Sequence, residues 1–216
     1  MKRTCSICNN ETWSFHHDIF HVDYFVCDHC AFIFKDPEAL LSEEDELKIY
    51  ESHENSIEDP TYLAYFKRFL EEAVFPFSHS GKKGLDFGSG PSPVLSMILE
   101  RDYGYDMDIY DLFYAPEKIY EGKSYDLITC TEVIEHLEDP LVQFQIMKEA
   151  LNENGLLAIM TQFHQNDVKH FRSWHYMRDR SHIAFYRRKT LEKIAEIIGL
   201  EMIYCNDSNY ATFRRK

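Results

Sequence analysis

The sequence predicts an α/β fold, a doubly wound and mostly parallel sheet preceded by a small zinc-ribbon-like module. Three observations predict it. Cys5, Cys8, Cys27 and Cys30 form a C-x2-C-x18-C-x2-C array; GLDFGSGPSPVL (84–95) reads as a strand, a glycine-rich turn and a helix; and strand and helix patterns then alternate along the chain. With 216 residues, 44% hydrophobic and 28% charged, the chain can bury one substantial core besides the module. The expected layout is a four-cysteine module over 1–40, a connector over 41–59 and the main domain over 60–216.

Thiolates two residues apart reach one tetrahedral ion from a single turn, and two such turns close the site with no open coordination position. A structural Zn²⁺ is therefore expected on Cys5, Cys8, Cys27 and Cys30. A pair of disulfides and four unrelated buried thiols are the alternatives. No apolar leader follows Met1-Lys2-Arg3 and no apolar run nears bilayer length, so the chain reads as cytoplasmic, where disulfides do not persist. Cys130 and Cys205 read as buried apolar thiols. A net charge of -14, from 23 Lys+Arg against 37 Asp+Glu, disfavours nucleic acid as a partner. Basic residues do gather late, at Arg172, Arg178, Arg180, Arg187, Arg188, Lys189 and Arg214-Arg215-Lys216, leaving a local anion-binding face open.

After Cys30 an apolar stretch suits a short strand closing the module, and the acid-rich run beyond it suits an exposed connector. Leu63, Phe66, Leu70, Ala73 and Val74 recur at helical spacing between Pro60 and Phe77. Lys83 to Phe87 reads as a buried strand, Gly88-Ser89-Gly90 as the turn, and about Ser92 to Arg101 as a helix. A glycine turn lets a ligand approach the backbone, and the helix start offers N–H groups. The sixth position of a G-x-G-x-x-G pattern is Pro93 and no G-K-[ST] follows, so the turn suits a ligand without a pyrophosphate. A second strand ends at Asp111, about 20 residues past Gly90, where a carboxylate meets ribose hydroxyls; Asp108 is the second choice. A third strand covers Tyr125 to Cys130. Asp139-Pro140 starts a helix packed by Leu141, Phe144, Ile146, Met147 and Leu151, Asn154-Gly155 ends it, and Leu156 to Thr161 forms a strand. Thr190 caps a helix stopping at Gly199, and strands at 201–205 and 210–214 make an antiparallel hairpin.

On LDFGSG (85–90), Asp111, YDLITCTEVIEHLEDP (125–140) and LNENGLLAIMT (151–161), in that order, residues 60 to 216 resemble the class I S-adenosylmethionine-dependent methyltransferases, with their Rossmann-like sheet. The resemblance is strongest to the small-molecule group that includes ubiquinone-biosynthesis O-methyltransferases. It implies S-adenosyl-L-methionine as cofactor, with Asp86, Gly88 and Gly90 framing the methionine part, Asp111 on the ribose, and Thr131 and Glu132 lining the pocket beneath the sulfonium. Only about 14 residues separate Asp111 from Tyr125, too few for the usual helix, strand and adenine-contacting acid. The sheet is thus expected to lack a strand.

Methyl transfer needs a positioned acceptor and, where the acceptor carries a proton, a base. His136, His164, His175 and His182 are candidates, with His136 and His182 preferred, and the insertion 162–186 is the expected acceptor lid. Glu132, Glu135 and His136 fall at i, i+3 and i+4 and with His182 resemble the divalent-metal ligands of small-RNA 2′-O-methyltransferases, implying Mg²⁺ or another divalent cation at a second site. The expected partner is a small-molecule methyl acceptor. Alternatives are an RNA methyltransferase using the knuckle for RNA, and a cofactor-binding protein without transfer activity.

Overall fold

The computed structural model describes residues 3–51 and 59–216, and the statements below concern these. Part of the connector expected over 41–59 therefore lies outside the described residues.

Three short strands, β1 (Trp13–His17), β2 (Val22–Val26) and β3 (Ile33–Lys35), pair antiparallel in that order beside the cysteines. The two cysteine turns are built alike. The Cys5 carbonyl accepts from the Asn9 N–H at 2.9 Å and the Cys27 carbonyl from the Ala31 N–H at 2.7 Å, while the Cys5 and Cys27 N–H groups donate to the Asn10 and Phe32 carbonyls. Asn9 and Ala31 close them in the left-handed region, at φ 57° and 58°. For Ala31 that conformation costs about 1 kcal/mol.

The acid-rich run beyond β3 contains a helix that the sequence reading did not assign, α1 (Glu43–Tyr50). The Ser42 hydroxyl caps it by accepting from the Asp45 N–H at 3.2 Å, and Glu43, Glu44 and Asp45 sit in the first turn, where the helix dipole favours acids. Helix α2 (Pro60–Phe69) starts as expected, with Asp59 accepting from the Thr61 N–H, and runs into one π turn over Leu70–Val74.

The main sheet then follows. β4 (Lys83–Phe87), α3 (Val94–Tyr103), β5 (Asp106–Tyr110), β6 (Tyr125–Thr131), α4 (Pro140–Glu149) and β7 (Leu151–Met160) alternate as the sequence predicts. The insertion carries α5 (Val168–Ser173) and a two-residue strand, β8 (Ala184–Phe185); α6 (Arg188–Ile198), β9 (Leu200–Cys205) and β10 (Tyr210–Arg215) end the chain. The order is β5-β4-β6-β7-β10-β9, with the first four parallel and β10 antiparallel to both neighbours. Residues 111–124, between β5 and β6, hold no helix or strand, in keeping with the short interval read from the sequence.

Strand alternation divides the core into two layers. Leu156, Ala158 and Met160 of β7 pack with Phe69, Ile98 and Leu99 from α2 and α3, whereas Leu157 and Ile159 pack with Phe144, Ile194 and Phe213 on the side of α4 and α6. Apolar residues on both faces of a parallel strand are what burial between helix layers requires.

Two local readings are corrected. Asn154-Gly155 does not end a helix; α4 stops at Glu149, and Leu151 already pairs with Tyr125. Between Tyr125 and Leu127 the partner on β7 moves from Leu151 to Leu156, so Asn154, at φ 62°, and Gly155 form a bulge inside the strand. Nor is Thr190 an N-cap. It lies in the first turn of α6, where its hydroxyl accepts from the Arg187 N–H at 3.3 Å and donates to the Cys30 carbonyl at 2.9 Å. A hydroxyl both accepts and donates, so it joins the capping box and the long-range tie at once.

β8 has a consequence for the site. It pairs with β3, giving a four-stranded sheet β1-β2-β3-β8, so the 162–186 insertion is woven into the cysteine module's own sheet.

Candidate active site

Since β4 pairs with β5 on one side and β6 on the other, the chain reverses its winding at the carboxyl end of β4, where open α/β sheets place ligands. Gly88, Gly90, Asp111, Thr131 and Glu132 all lie at or just beyond the carboxyl ends of β4, β5 and β6.

The glycines there have different tasks. Gly88, at φ 86°, donates to the Tyr110 carbonyl at 2.7 Å, and a Cβ at Gly88 would meet Val133 Cγ2 at 2.1 Å. Gly90, at φ 66°, has nothing within 4 Å of such a Cβ. Its open side is where a ligand can lie against backbone. Gly88→Ala is therefore expected to lower folding stability by at least about 2 kcal/mol through backbone strain and overlap. Gly90→Ala should cost about 1 kcal/mol of stability, yet cut affinity for S-adenosylhomocysteine about tenfold or more. Denaturant unfolding beside calorimetry checks both, and equal behaviour of the two variants would contradict the assignment.

Asp111 links turn to strand. Its Oδ2 accepts from the Gly90 N–H at 2.8 Å, and its Oδ1 accepts from the Phe113 and Tyr114 N–H groups at 2.9 and 3.1 Å. Asp108 turns elsewhere, to Lys123 Nζ and the Tyr125 hydroxyl. Asp86 is buried behind the turn, accepting from the Thr129 hydroxyl at 2.8 Å and the Ser96 hydroxyl at 3.2 Å, so it ties β4, β6 and α3 together.

Burial pushes the Asp86 carboxyl up from 3.8 to about 6, against the pull of Thr129 and Ser96. A folded-state value above the unfolded one means that the fold holds the proton more tightly. That stabilising share is full below pH 3.8 and is lost as pH rises through about 6. The share is about 3 kcal/mol. Asp86→Asn keeps an acceptor for Thr129 and removes the titration, so its stability relative to the native chain should rise by up to that amount between pH 4 and pH 7. Urea unfolding at the two pH values tests this, and an unchanged difference would refute it.

Across the pocket, Glu132 sits at φ 53° just after β6. One carboxylate oxygen accepts from the Tyr65 hydroxyl at 2.8 Å and the other from the Tyr176 hydroxyl at 3.0 Å. The Tyr176 hydroxyl also meets Glu135 Oε1 and stands 3.0 Å from the Thr161 hydroxyl. Glu135 is fully buried, and its Oε2 has no hydrogen-bond partner among the described residues. Burial, with the Glu132 charge adding to it, holds the Glu135 carboxyl well above the usual range. His136 Nδ1 faces the Ser181 carbonyl at 3.1 Å and His182 Nδ1 the Tyr176 carbonyl at 2.7 Å. A carbonyl only accepts, so each Nδ1 carries hydrogen and Nε2 is the proton-accepting nitrogen.

Ligand atoms of Glu135, His136 and His182 lie within 4.8 Å of one another. Glu132, the fourth residue of the proposed cation set, is turned toward its two tyrosines instead. Of the other histidines, His164 is buried between the Ala31 carbonyl (Nε2, 2.8 Å) and the Asn166 N–H (Nδ1, 3.1 Å). Burial lowers it to about 4, leaving a neutral structural tie. His175 is exposed. From the connector, Tyr50 of α1 lays its ring 5.2 Å from His136 and 5.5 Å from Phe113.

A family model described as a methyltransferase domain matches residues 59–204. The chain belongs to that methyltransferase-domain family. No curated protein matches this methyltransferase in sequence. Solved structures match its fold: an O-methyltransferase family protein from Burkholderia thailandensis (TM-score 0.56, 13% identity, 72% of this chain and 56% of that one), and a candidate sarcosine dimethylglycine methyltransferase from Galdieria sulphuraria (0.56, 14%, 80% and 97%). A mitomycin 7-O-methyltransferase is similar as well (0.54, 13%, 80% and 67%). The chain thus spans little more than half the length of the Burkholderia protein. Family and architecture together give the class I methyltransferase fold.

The four N-terminal sulfurs also converge within 4.8 Å of one another. Cys5 Sγ lies 3.6 Å from Cys30 Sγ and Cys8 Sγ 3.4 Å from Cys27 Sγ, and all six cysteines are free. A disulfide needs roughly 2 Å. The edge of a thiolate tetrahedron with ~2.3 Å metal–sulfur bonds is roughly 3.8 Å, so the sulfurs fit such an ion. Cys130 and Cys205 are buried. Tyr65, Tyr176 and Asp179, whose Oδ2 stands 3.9 Å from His182 Nε2, escaped the sequence reading as site residues. Tyr65 belongs to a helix read only for its apolar face. Tyr176 and Asp179 lie in the insertion singled out for its aromatic and basic character, but no periodicity marks them.

Proposed function

We propose that the chain transfers a methyl group from S-adenosyl-L-methionine to oxygen, nitrogen or carbon of a small metabolite, as in the small-molecule group resembling ubiquinone-biosynthesis enzymes. The observation that carries this reading is the cluster of groups at the switch point, with an open glycine turn and Asp111 on one side and two imidazoles beside the buried Glu135 and the half-buried Glu132 on the other. When bound, the cofactor supplies an electrophilic methyl on a sulfonium. The residues of the chain do the rest. Gly90 lets the methionine part lie against backbone, Gly88 and Asp86 stiffen that turn, Asp111 takes the ribose hydroxyls, and Thr131 and Glu132 line the space where the acceptor enters. His182 or His136 takes the acceptor's proton on Nε2.

Cys5, Cys8, Cys27 and Cys30 hold a structural zinc in residues 1–40, and residues 60–216 form the transferase unit beyond the connector. Glu135, His136 and His182 offer a second cation site. Two imidazoles and one carboxylate suit manganese, iron or zinc better than magnesium, which prefers oxygen ligands. Small acceptors agree with the mitomycin and sarcosine dimethylglycine descriptions of the structural neighbours. The RNA reading has less support. Arg188 is paired with Asp207, while Lys189 holds the Asp28 carbonyl and Arg215 the Lys148 and Glu149 carbonyls, so three of the late basic residues are engaged within the chain.

Incubation with methyl-labelled cofactor and a fractionated metabolite extract tests the reading. Label should enter one small-molecule fraction. Absence of transfer together with no calorimetric uptake of S-adenosylmethionine would end the proposal; loss of a bound Mn²⁺ signal in His182→Ala would support the second cation.

A further inference from the structure

Resting on the reading of the pocket as an acceptor site, we infer that the four-cysteine module is a working part of that site: it carries the wall that positions Tyr176 and His182, and its metal decides whether the wall stands. The anchors come from the metal turn itself. The Cys30 carbonyl accepts from the Thr190 hydroxyl at 2.9 Å and the Ala31 carbonyl from His164 Nε2 at 2.8 Å, so the start of the insertion and the helix that follows it both hang on the second cysteine turn. Ala31 is left-handed there, a conformation that alanine leaves when nothing holds it.

Between those ends the contact is continuous. β3 pairs with β8, Lys35 Nζ donates to the Arg180 carbonyl at 2.8 Å, and His17 Nε2 donates to the Arg172 carbonyl at 3.1 Å. Phe15 and Tyr24 of the module set their rings at 5.7 and 5.3 Å against Phe171 of α5, forming one apolar cluster that includes Tyr176. Tyr176 is where this cluster meets the pocket. Its ring belongs to the shared core, its hydroxyl reaches Glu132 and Glu135, and its carbonyl fixes the His182 tautomer. It is therefore a positioning residue held from the module's side.

The cofactor turn has ties of its own. Leu85 and Phe87 of β4 share an apolar cluster with Cys27, Cys30 and Phe32 of the module, but the hydrogen bonds of Gly88, Gly90 and Asp111 described above stay within residues 88–115, and the opposite apolar layer, under α2 and α3, contains no residue of the module. Metal loss should loosen one half of the site and spare the other.

The test compares three forms of the full chain by hydrogen exchange and by calorimetry with S-adenosylhomocysteine: zinc-loaded, zinc-stripped and reloaded, and zinc-loaded Phe15→Ala. Stripping should speed exchange in 168–185 about tenfold or more, reversibly, while 84–90 and 106–111 keep their protection and affinity for S-adenosylhomocysteine changes less than about twofold. Phe15→Ala, which leaves every cysteine in place, should give the same regional pattern with zinc retained. Unchanged exchange in 168–185 in both altered forms overturns the inference. So does collapse of the whole chain in both, since the module would then support the fold at large. Failure of the zinc-loaded protein to take up S-adenosylhomocysteine, with the exchange pattern as expected, instead removes the cofactor reading and leaves the mechanical coupling intact.

Discussion

Asp111→Ala will reduce affinity for S-adenosylhomocysteine by about 100-fold or more, roughly 3 kcal/mol, as read by calorimetry. Two losses combine. The charged acceptor proposed for the ribose hydroxyls disappears, and such hydrogen bonds are worth ~1.5–3 kcal/mol each. The carboxylate also draws the Gly90, Phe113 and Tyr114 N–H groups toward one point, so its removal releases the loop that shapes the pocket. Asp111→Asn separates the two. One amide oxygen still accepts from Phe113 and Tyr114, while an NH₂ group facing the Gly90 N–H repels it, so this variant should bind with intermediate affinity. Native affinity in Asp111→Ala would remove Asp111 from the site.

Cys27→Ser will lower the zinc content from one ion per chain and unfold the N-terminal region. Structural zinc contributes on the order of 10 kcal/mol to small metal-folded units, far more than any single contact around it. Cys27 is fully buried, 3.4 Å from Cys8 Sγ, and its carbonyl and N–H close the second turn. Serine keeps the size but supplies a hydroxyl that stays protonated and binds the ion poorly. Metal analysis with thermal unfolding reads the result. Undiminished zinc and an unchanged melting temperature would refute the assignment.

How much of this was legible beforehand depended on distance along the chain. β4 and β6 announce themselves by short apolar runs, β5 by apolar residues alternating with Asp106 and Asp108, and Asp139-Pro140 marks a helix start through fixed φ and a side-chain cap. These are local signals. Asn154-Gly155 was misread because a left-handed residue followed by glycine serves a helix end and a strand bulge equally well; only pairing with β6 decides. Thr190 does take a nearby N–H at its helix start, that of Arg187, but its hydroxyl also donates to a carbonyl 160 residues away, which local sequence cannot show. β8, two residues long, carries no periodicity at all, and it exists because β3 offers it an edge. In the site, the glycine turn and Asp111 were visible from spacing alone. The tyrosines that hold Glu132 come from α2 and from the insertion, and nothing in either segment points to residue 132.

The omitted strand between β5 and β6 leaves the sheet with a raw border. β5 has a single neighbour, β4, so its outer row of backbone donors and acceptors faces away from the sheet. Such a row invites another chain to dock as an extra strand. Asp106 and Asp108 put negative charge along it, and the Asp108 bonds to Lys123 and Tyr125 drape the following loop beside it. The shortened fold thus carries at its rim a strand edge marked by Asp106 and bordered by the loop that Asp108 ties down through Lys123 and Tyr125.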